Sequence, residues 1–408
     1  LLGVSFGHSV LRRVSEILRS QLLKQEQCYI GDGGLFYLVS WDVTKEKVES
    51  RLKELIEKIQ AGDCAQGKYN IQLSAGAYWH LINKENVGEG TLSLSSVSLP
   101  AMDSLIDTDS HWPENFFTKA RAALKQLKIS NKGGVRFFDD NLAEKIRTEK
   151  LLENNFQQAL ENNEFVLYYQ PKYGIKGAEP ELHGAEALIR WISPEYGFLS
   201  PGRFIPLFER DGNLEILDRH VLKLACRQLR QWLDAGYKAV PISVNISRRN
   251  IVGGNNFLAY ALDVLAEYQI PTNLIQLEIL ETDASVDSKL LIKFLQTFKS
   301  SGFSLAMDDF GSGYSSLGMF NSMPIDCLKL DKSFFDSWQP DMSERDSCLI
   351  KYMIKAAHDT GRTVVAEGIE EKFQVDLLRQ YDCDMIQGYY FSKPLPAEEF
   401  ANKMRKRV

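Results

Sequence analysis

From residue 163 onward the order of apolar and polar positions repeats one theme. Eight short runs rich in β-branched and aromatic residues read as strands, at 165–170, 184–191, 240–246, 275–280, 304–309, 327–331, 363–367 and 385–390. Stretches with helical spacing separate most of them: Leu214–Gly236, Phe257–Tyr268, Ser288–Ser300, Arg345–Thr360 and Phe373–Tyr381. Strand followed by helix, repeated to the C-terminus, predicts an α/β fold of the TIM-like (β/α)8 type.

The first part of the chain has a different pattern. Val10–Leu23 and Thr44–Ala61 read as helices, Leu35–Trp41 and Ile71–Leu81 as strands, and Phe116–Lys128 as a helix. Gly31 to Gly34 form a glycine-rich turn, and Gly88–Pro113 is a polar, Ser-rich loop. This mixture predicts an α+β domain over 1–140. Leu142–Glu161, charged and helically spaced, predicts a helical linker over 141–162, with the barrel occupying 163–408.

Within the barrel strands the alternation places polar residues on one face. Ser243 and Asn245 lie opposite Ile242, Val244 and Ile246, and Glu278 opposite Ile275, Leu277 and Ile279. Lys329 and Asp331 lie opposite Leu328 and Leu330, Glu186 shares a face with Arg190, and Glu367 closes its strand. A barrel's chemistry gathers at the C-terminal mouth of its strands. Several carboxylates crowded there are costly to bury unless cations neutralise them, so the pattern implies bound metal. Asp308 and Asp309 are adjacent and can reach one site only if the strand breaks at that point. The glycines of Phe310-Gly311-Ser312-Gly313 permit such a break. One aspartate would then bridge two ions roughly 3.5–4 Å apart.

Composition narrows the class. The 408 residues are 44% hydrophobic and 25% charged with a net charge of −6, which opposes nucleic-acid binding through a broad basic surface. Six cysteines without paired spacing predict reduced thiols in a cytoplasmic protein, and no apolar run is long enough to cross a bilayer. The six histidines show no ligand spacing, so any metal site must be built from carboxylates. The chain begins at Leu1, and an anchor or sensor is expected upstream.

Taken in order, seven motifs carry a resemblance. They are Glu186-Ala187-Leu188 extended to Arg190 and Trp191, Val244-Asn245-Ile246-Ser247, Leu277-Glu278-Ile279-Leu280-Glu281, Asp308-Asp309-Phe310-Gly311-Ser312-Gly313, Lys329-Leu330-Asp331, Glu367-Gly368-Ile369-Glu370 and Gln387-Gly388-Tyr389. The C-terminal region resembles the EAL-domain cyclic di-GMP phosphodiesterases, which implies a barrel whose first strand is antiparallel. The resemblance also implies two Mg2+ or Mn2+ ions, with Glu186, Asn245, Glu278 and Asp308 holding the first and Asp308, Asp309 and Glu367 the second. By the same resemblance Lys329 holds the attacking water, with Glu186 and Glu367 also counted as catalytic. Gln170, Leu188, Arg190, Asp331 and Gln387 are implied to face the substrate, and Glu281 to steady the loop at Gly311 and Gly313. The implied product is linear pGpG, and the implied assembly a homodimer through the barrel domain.

The N-terminal region resembles a GGDEF domain at Phe6-Gly7-His8, Ser74-Ala75-Gly76 and Ala120–Gly134. Its signature loop reads Asp32-Gly33-Gly34-Leu35-Phe36, so Gly34 and Leu35 stand where the family has two acidic residues. This implies a degenerate, regulatory domain truncated at its start and unable to condense GTP.

The alternatives are a cyclic di-GMP receptor without turnover and a barrel hydrolase of other phosphodiesters. Receptors of the family lose metal ligands, and this chain keeps them. Arg248-Arg249 reads as a solvated pair on a loop, and His183 and Cys383 as structural. Trp191 and Tyr389 are candidates either for the guanine pocket or for packing.

Overall fold

The computed structural model describes residues 4–31, 34–40, 43–61, 73–79, 112–129, 134–252, 255–281, 288–311, 322–342 and 344–405. Asp32, Gly33, Cys64, the 88–111 segment, Ser312 and Gly313 lie outside the described residues. The chain divides into two compact units, Leu1–Thr148 and Glu149–Val408. The helix Asp140–Glu161 runs across that division.

In the first unit, strands β1 (Glu26–Ile30) and β2 (Phe36–Ser40) form an antiparallel hairpin, and β3 (Ser74–Ala77) pairs in parallel with β4 (Gly134–Phe137). Neither β1 nor β4 is legible in the sequence. β1 carries Glu26, Gln27 and Cys28, and one polar residue is buried rather than exposed. Glu26 is bound at both carboxylate oxygens by Arg51, at 3.0 and 3.1 Å. A small core of Val14, Leu18, Leu55 and Ile59 joins the first two helices, Val4–Gln21 and Lys45–Ala61.

The second unit is a closed barrel of eight strands: β5 (Phe165–Gly174), β6 (Glu181–Ser193), β8 (Ile242–Asn245), β9 (Ile275–Leu280), β10 (Ser304–Phe310), β11 (Cys327–Leu330), β12 (Thr363–Glu367) and β13 (Met385–Gln387). β5 is antiparallel to both neighbours, β6 and β13, and the other barrel pairs are parallel, as the resemblance implies. Short strands β7 (Gly197–Leu199) and β14 (Leu395–Pro396) add to β6 and β5.

Alternation decides which side chains meet the helices. On β9, Ile275, Leu277 and Ile279 join the main core, while Gln276 and Glu278 share the inner face with residues of other strands. The helix Leu214–Asp234 presents Leu217, Val221, Leu222, Ala225 and Leu229 to that core along one face.

The helix Pro201–Asp211 has no counterpart among the sequence-predicted elements. Pro201 sits at its first turn, where no intrahelical N–H is required, and Gly212 ends it with φ 91°. One expectation is corrected and one open alternative is decided. Arg248-Arg249 is not on a loop but opens the short helix Arg248–Val252, with both side chains exposed. Trp191 belongs to packing: it is buried among Phe165, Phe204 and Phe208, and its Nε1 donates to Glu164 at 2.8 Å. Among the described residues no helix is long and apolar enough to cross a membrane.

Candidate active site

The inner faces of four strands, β6, β9, β10 and β12, converge on the ammonium group that β11 presents. Lys329 of β11 is 1% exposed, and its Nζ lies 2.5 Å from Glu278, 2.7 Å from Glu367, 2.8 Å from Asp308 and 3.4 Å from Glu186. Glu278, Asp308 and Glu367 sit in the second half of their strands and Glu186 in the middle of the long β6, and period-2 alternation turns each of them into the lumen. Asn245 closes β8 and donates Nδ2 to Glu186 at 2.9 Å, and Gln387 closes β13 and donates Nε2 to Glu186 at 2.6 Å. Gln170 lies directly across from Glu186 in the β5–β6 register and accepts from Gln387 at 3.3 Å.

Asp308 and Asp309 both reach the site, but the turn that allows it is at Asp309 rather than at the glycines alone. Asp309 has φ 52°, a left-handed conformation that non-glycine residues adopt at a cost, and β10 slips register between Met307 and Phe310. The result is two ligand groups sharing one residue. Oxygens of Glu186, Glu278 and Asp308 lie within 4.8 Å of one another, and so do those of Asp308, Asp309 and Glu367.

The charges in this cluster are unequal in fate. Burial pushes the Glu278 carboxyl up, but Lys172 and Lys329, one on each oxygen, outweigh it and hold it down at about 2. Burial drives Asp308 up to about 7 and Glu367 up to about 8, with neighbouring acids adding to the effect against Lys329. Burial and the nearby Asp331 raise Asp309 as well. Lys329 is held well above its ordinary value, because its surrounding acids outweigh the cost of burying it. The donor set is therefore hard oxygen in excess of the positive charge present, which suits divalent cations such as Mg2+ or Mn2+.

The remaining sequence candidates lie around this cluster. Leu188 and Arg190 follow Glu186 on the inner face of β6 and are half-buried, with the Arg190 guanidinium 5.5 Å from the centre of the Tyr168 ring. Asp331 accepts from the Ser333 backbone at 3.0 Å, capping the short 3-10 turn Lys332–Phe334, and stands beside Asp309. Glu281, 2% exposed, accepts from the Gly311 backbone N–H at 2.7 Å. Gly311 has φ 96°, and a side chain there would run into the Phe334 ring. Tyr389 is 55% exposed. Among the described residues, the ion pairs of Lys329 are with Glu186, Glu278, Asp308 and Glu367 and not with Asp331.

One buried residue escaped the sequence reading. Lys172, 3% exposed, places Nζ 2.5 Å from Glu278 and 2.6 Å from Ser243. Its signal was available: it stands two positions after Gln170, on the same face. The predicted strand stopped at Gln170, before Pro171, whereas β5 continues to Gly174.

Comparisons with known proteins agree with this architecture. The family model described as "EAL domain" matches residues 153–394. The chain is 31% identical over 408 residues, 99% of its length, to the cyclic di-GMP phosphodiesterase NbdA of Pseudomonas aeruginosa, covering 48% of that protein. It is 34% identical over 285 residues, 70% of its length, to the oxygen sensor protein DosP of Escherichia coli, covering 35% of that protein. The chain thus spans about half or less of these relatives. Among solved structures, a PaMucR phosphodiesterase in complex with c-di-GMP superposes with TM-score 0.56 at 31% identity, over 61% of this chain and 99% of that one. The EAL enzyme Bd1971 with cAMP and cyclic di-GMP bound gives TM-score 0.57 at 29% identity, over 69% of this chain and 73% of that one. Both the sequence match, which covers more than half of the chain, and the barrel with its reversed first strand show that this chain belongs to the EAL domain family.

Proposed function

We propose that this protein hydrolyses cyclic di-GMP to linear pGpG with two divalent cations, Mg2+ or Mn2+, in the barrel mouth. The observation that carries the reading is the pair of carboxylate groups sharing Asp308 around Lys329. Glu186, Asn245, Glu278 and Asp308 would hold one cation, and Asp308, Asp309 and Glu367 the other. When bound, such a pair lowers the proton affinity of a water between them and offsets charge on the phosphate.

The chain's own residues supply the rest. Lys329 would orient the nucleophilic water toward phosphorus, opposite the departing 3′ oxygen, and its ammonium would offset charge building in the transition state. Arg190 lies on the inner face above Glu186 and is suited to a phosphate oxygen. Gln170, Leu188, Asp331 and Gln387 would shape the substrate cleft. Glu281, by fixing the backbone of Gly311, would hold the loop that follows Asp309 in place.

The first domain (1–140) would act as a degenerate GGDEF-like regulator, joined through 141–162 to the catalytic barrel (163–408). The hairpin of β1 and β2 brackets the altered signature at Gly34 and Leu35. A cytoplasmic location and a homodimer through the barrel complete the proposal.

The test is chromatography of cyclic di-GMP incubated with the purified chain in Mn2+, in Mg2+ and in EDTA. Metal-dependent pGpG that disappears in Lys329→Ala supports the enzyme. Tight binding without turnover under every metal condition refutes it in favour of a receptor.

A further inference from the structure

Beneath the acidic cluster lies a second layer of polar side chains, with Lys172 and Ser243 buried and Gln276 and Ser304 half-buried. Gln276 donates Nε2 to Ser304 at 3.0 Å, Ser243 donates to Gln276 Oε1 at 2.8 Å, and Lys172 donates to Ser243 at 2.6 Å. Lys172 also approaches Gln276 Oε1 at 3.4 Å and ends on Glu278 Oε1 at 2.5 Å. The layer joins four strands, β5, β8, β9 and β10. β5 runs opposite to its neighbours, so the step from Gln170 to Lys172 descends from the mouth toward the floor. This places a lysine below a carboxylate that the parallel strands present from the side.

The two lysines on Glu278 are not equivalent. Lys329, on Oε2, has three further acids within 3.4 Å. Lys172 has Glu278 as its carboxylate partner and is otherwise held by the Ser243 hydroxyl and the Gln276 amide oxygen. Glu278 is wholly buried, so each oxygen needs a partner. If Glu278 offers an oxygen to a cation, only the lysine with other anions at hand can release it without stranding its own charge.

We infer that Lys172 is a positioning residue: it keeps Oε1 of Glu278 permanently occupied, so that Oε2 is the oxygen presented to the site and Lys329 is left free for the chemistry. This rests on the metal-binding reading above. It makes a prediction opposite to simple charge counting. Removing a cation beside a metal site should tighten metal binding, whereas removing a partner that orients a ligand should weaken it.

The experiment measures Mn2+ binding to the full chain by calorimetry, without substrate, in the wild type, Lys172→Met, Glu278→Gln and the double variant. Lys172→Met is expected to weaken Mn2+ binding about ten- to a hundredfold, the usual cost of losing a partner behind a ligand. In the Glu278→Gln background the same change is expected to weaken it no further, because Lys172 acts through Glu278. Mn2+ affinity equal to or tighter than wild type in Lys172→Met, or a full additional loss in the double variant, would overturn the inference. Should Lys172→Met fail to fold, Ser243→Ala keeps the lysine and removes its hydroxyl anchor. Weaker Mn2+ binding with an unchanged melting temperature in EDTA is then expected, and unchanged Mn2+ affinity overturns the inference. A wild-type chain that binds no Mn2+ refutes the metal reading itself, and this inference with it.

Discussion

Replacing Lys329 by methionine keeps the length of the side chain and removes the charge that four acids share. Lys329 is 1% exposed, with acids at 2.5, 2.7, 2.8 and 3.4 Å, so water cannot take over its role. Breaking a buried ion pair from one side costs about 3–5 kcal/mol. The acids can reduce that cost by keeping protons. Asp308 and Glu367 already do so up to about 7 and about 8, and losing the ammonium raises them further. Their folded-state pKa values lie above the unfolded ones, so the folded state holds more protons and loses stability as pH rises. Metal-free Lys329→Met is therefore expected to melt near wild type at about pH 5, and about 6–20 °C lower at about pH 8, using 2–4 °C per kcal/mol for a unit of this size. Differential scanning calorimetry in EDTA reads this directly. Mn2+ should restore most of the stability, since cations can take over the charge, but not the turnover. A variant that melts with wild type at every pH, or that regains turnover with Mn2+, would refute the reasoning.

Three further outcomes follow from the same geometry. Cation binding should expel the protons held by Asp308 and Glu367, so more protons are released at about pH 6 than at about pH 9; calorimetry in buffers of different ionisation enthalpy measures the difference, and equal release at both would exclude it. Glu281→Ala removes the acceptor for the Gly311 N–H and should lower turnover by about ten- to a hundredfold while leaving Mn2+ affinity near wild type; a parallel loss of metal affinity would show that Glu281 acts elsewhere. In Gly388→Ala the new methyl group would meet the Ile369 backbone and displace the end of β13 that carries Gln387; a destabilisation of about 1–3 kcal/mol is expected in urea unfolding, and a neutral effect would contradict the packing.

How far the sequence reached varied by element. The strands 275–280 and 363–367 and the helix Ser288–Ser300 coincide with their predicted limits, because an uninterrupted period is a local property. β1, β4 and the helix Pro201–Asp211 were missed, because a buried Glu26, a four-residue strand and an internal Pro206 give weak or contrary local signals. Extension of β5 through Pro171 depends on neighbours on both sides, which no single strand records.

By itself the sequence determined that acids and a lysine stand late in successive strands, since alternation is fixed by the backbone of each strand alone. Which of them touch was decided only by closure of the barrel. Closure brings Glu186 within reach of Lys329 across 143 residues and lets Lys172 reach Glu278 across 106. The left-handed turn at Asp309 is likewise a tertiary decision. A locally unfavourable conformation persists where surrounding contacts fix it, and here it carries adjacent aspartates into one cluster.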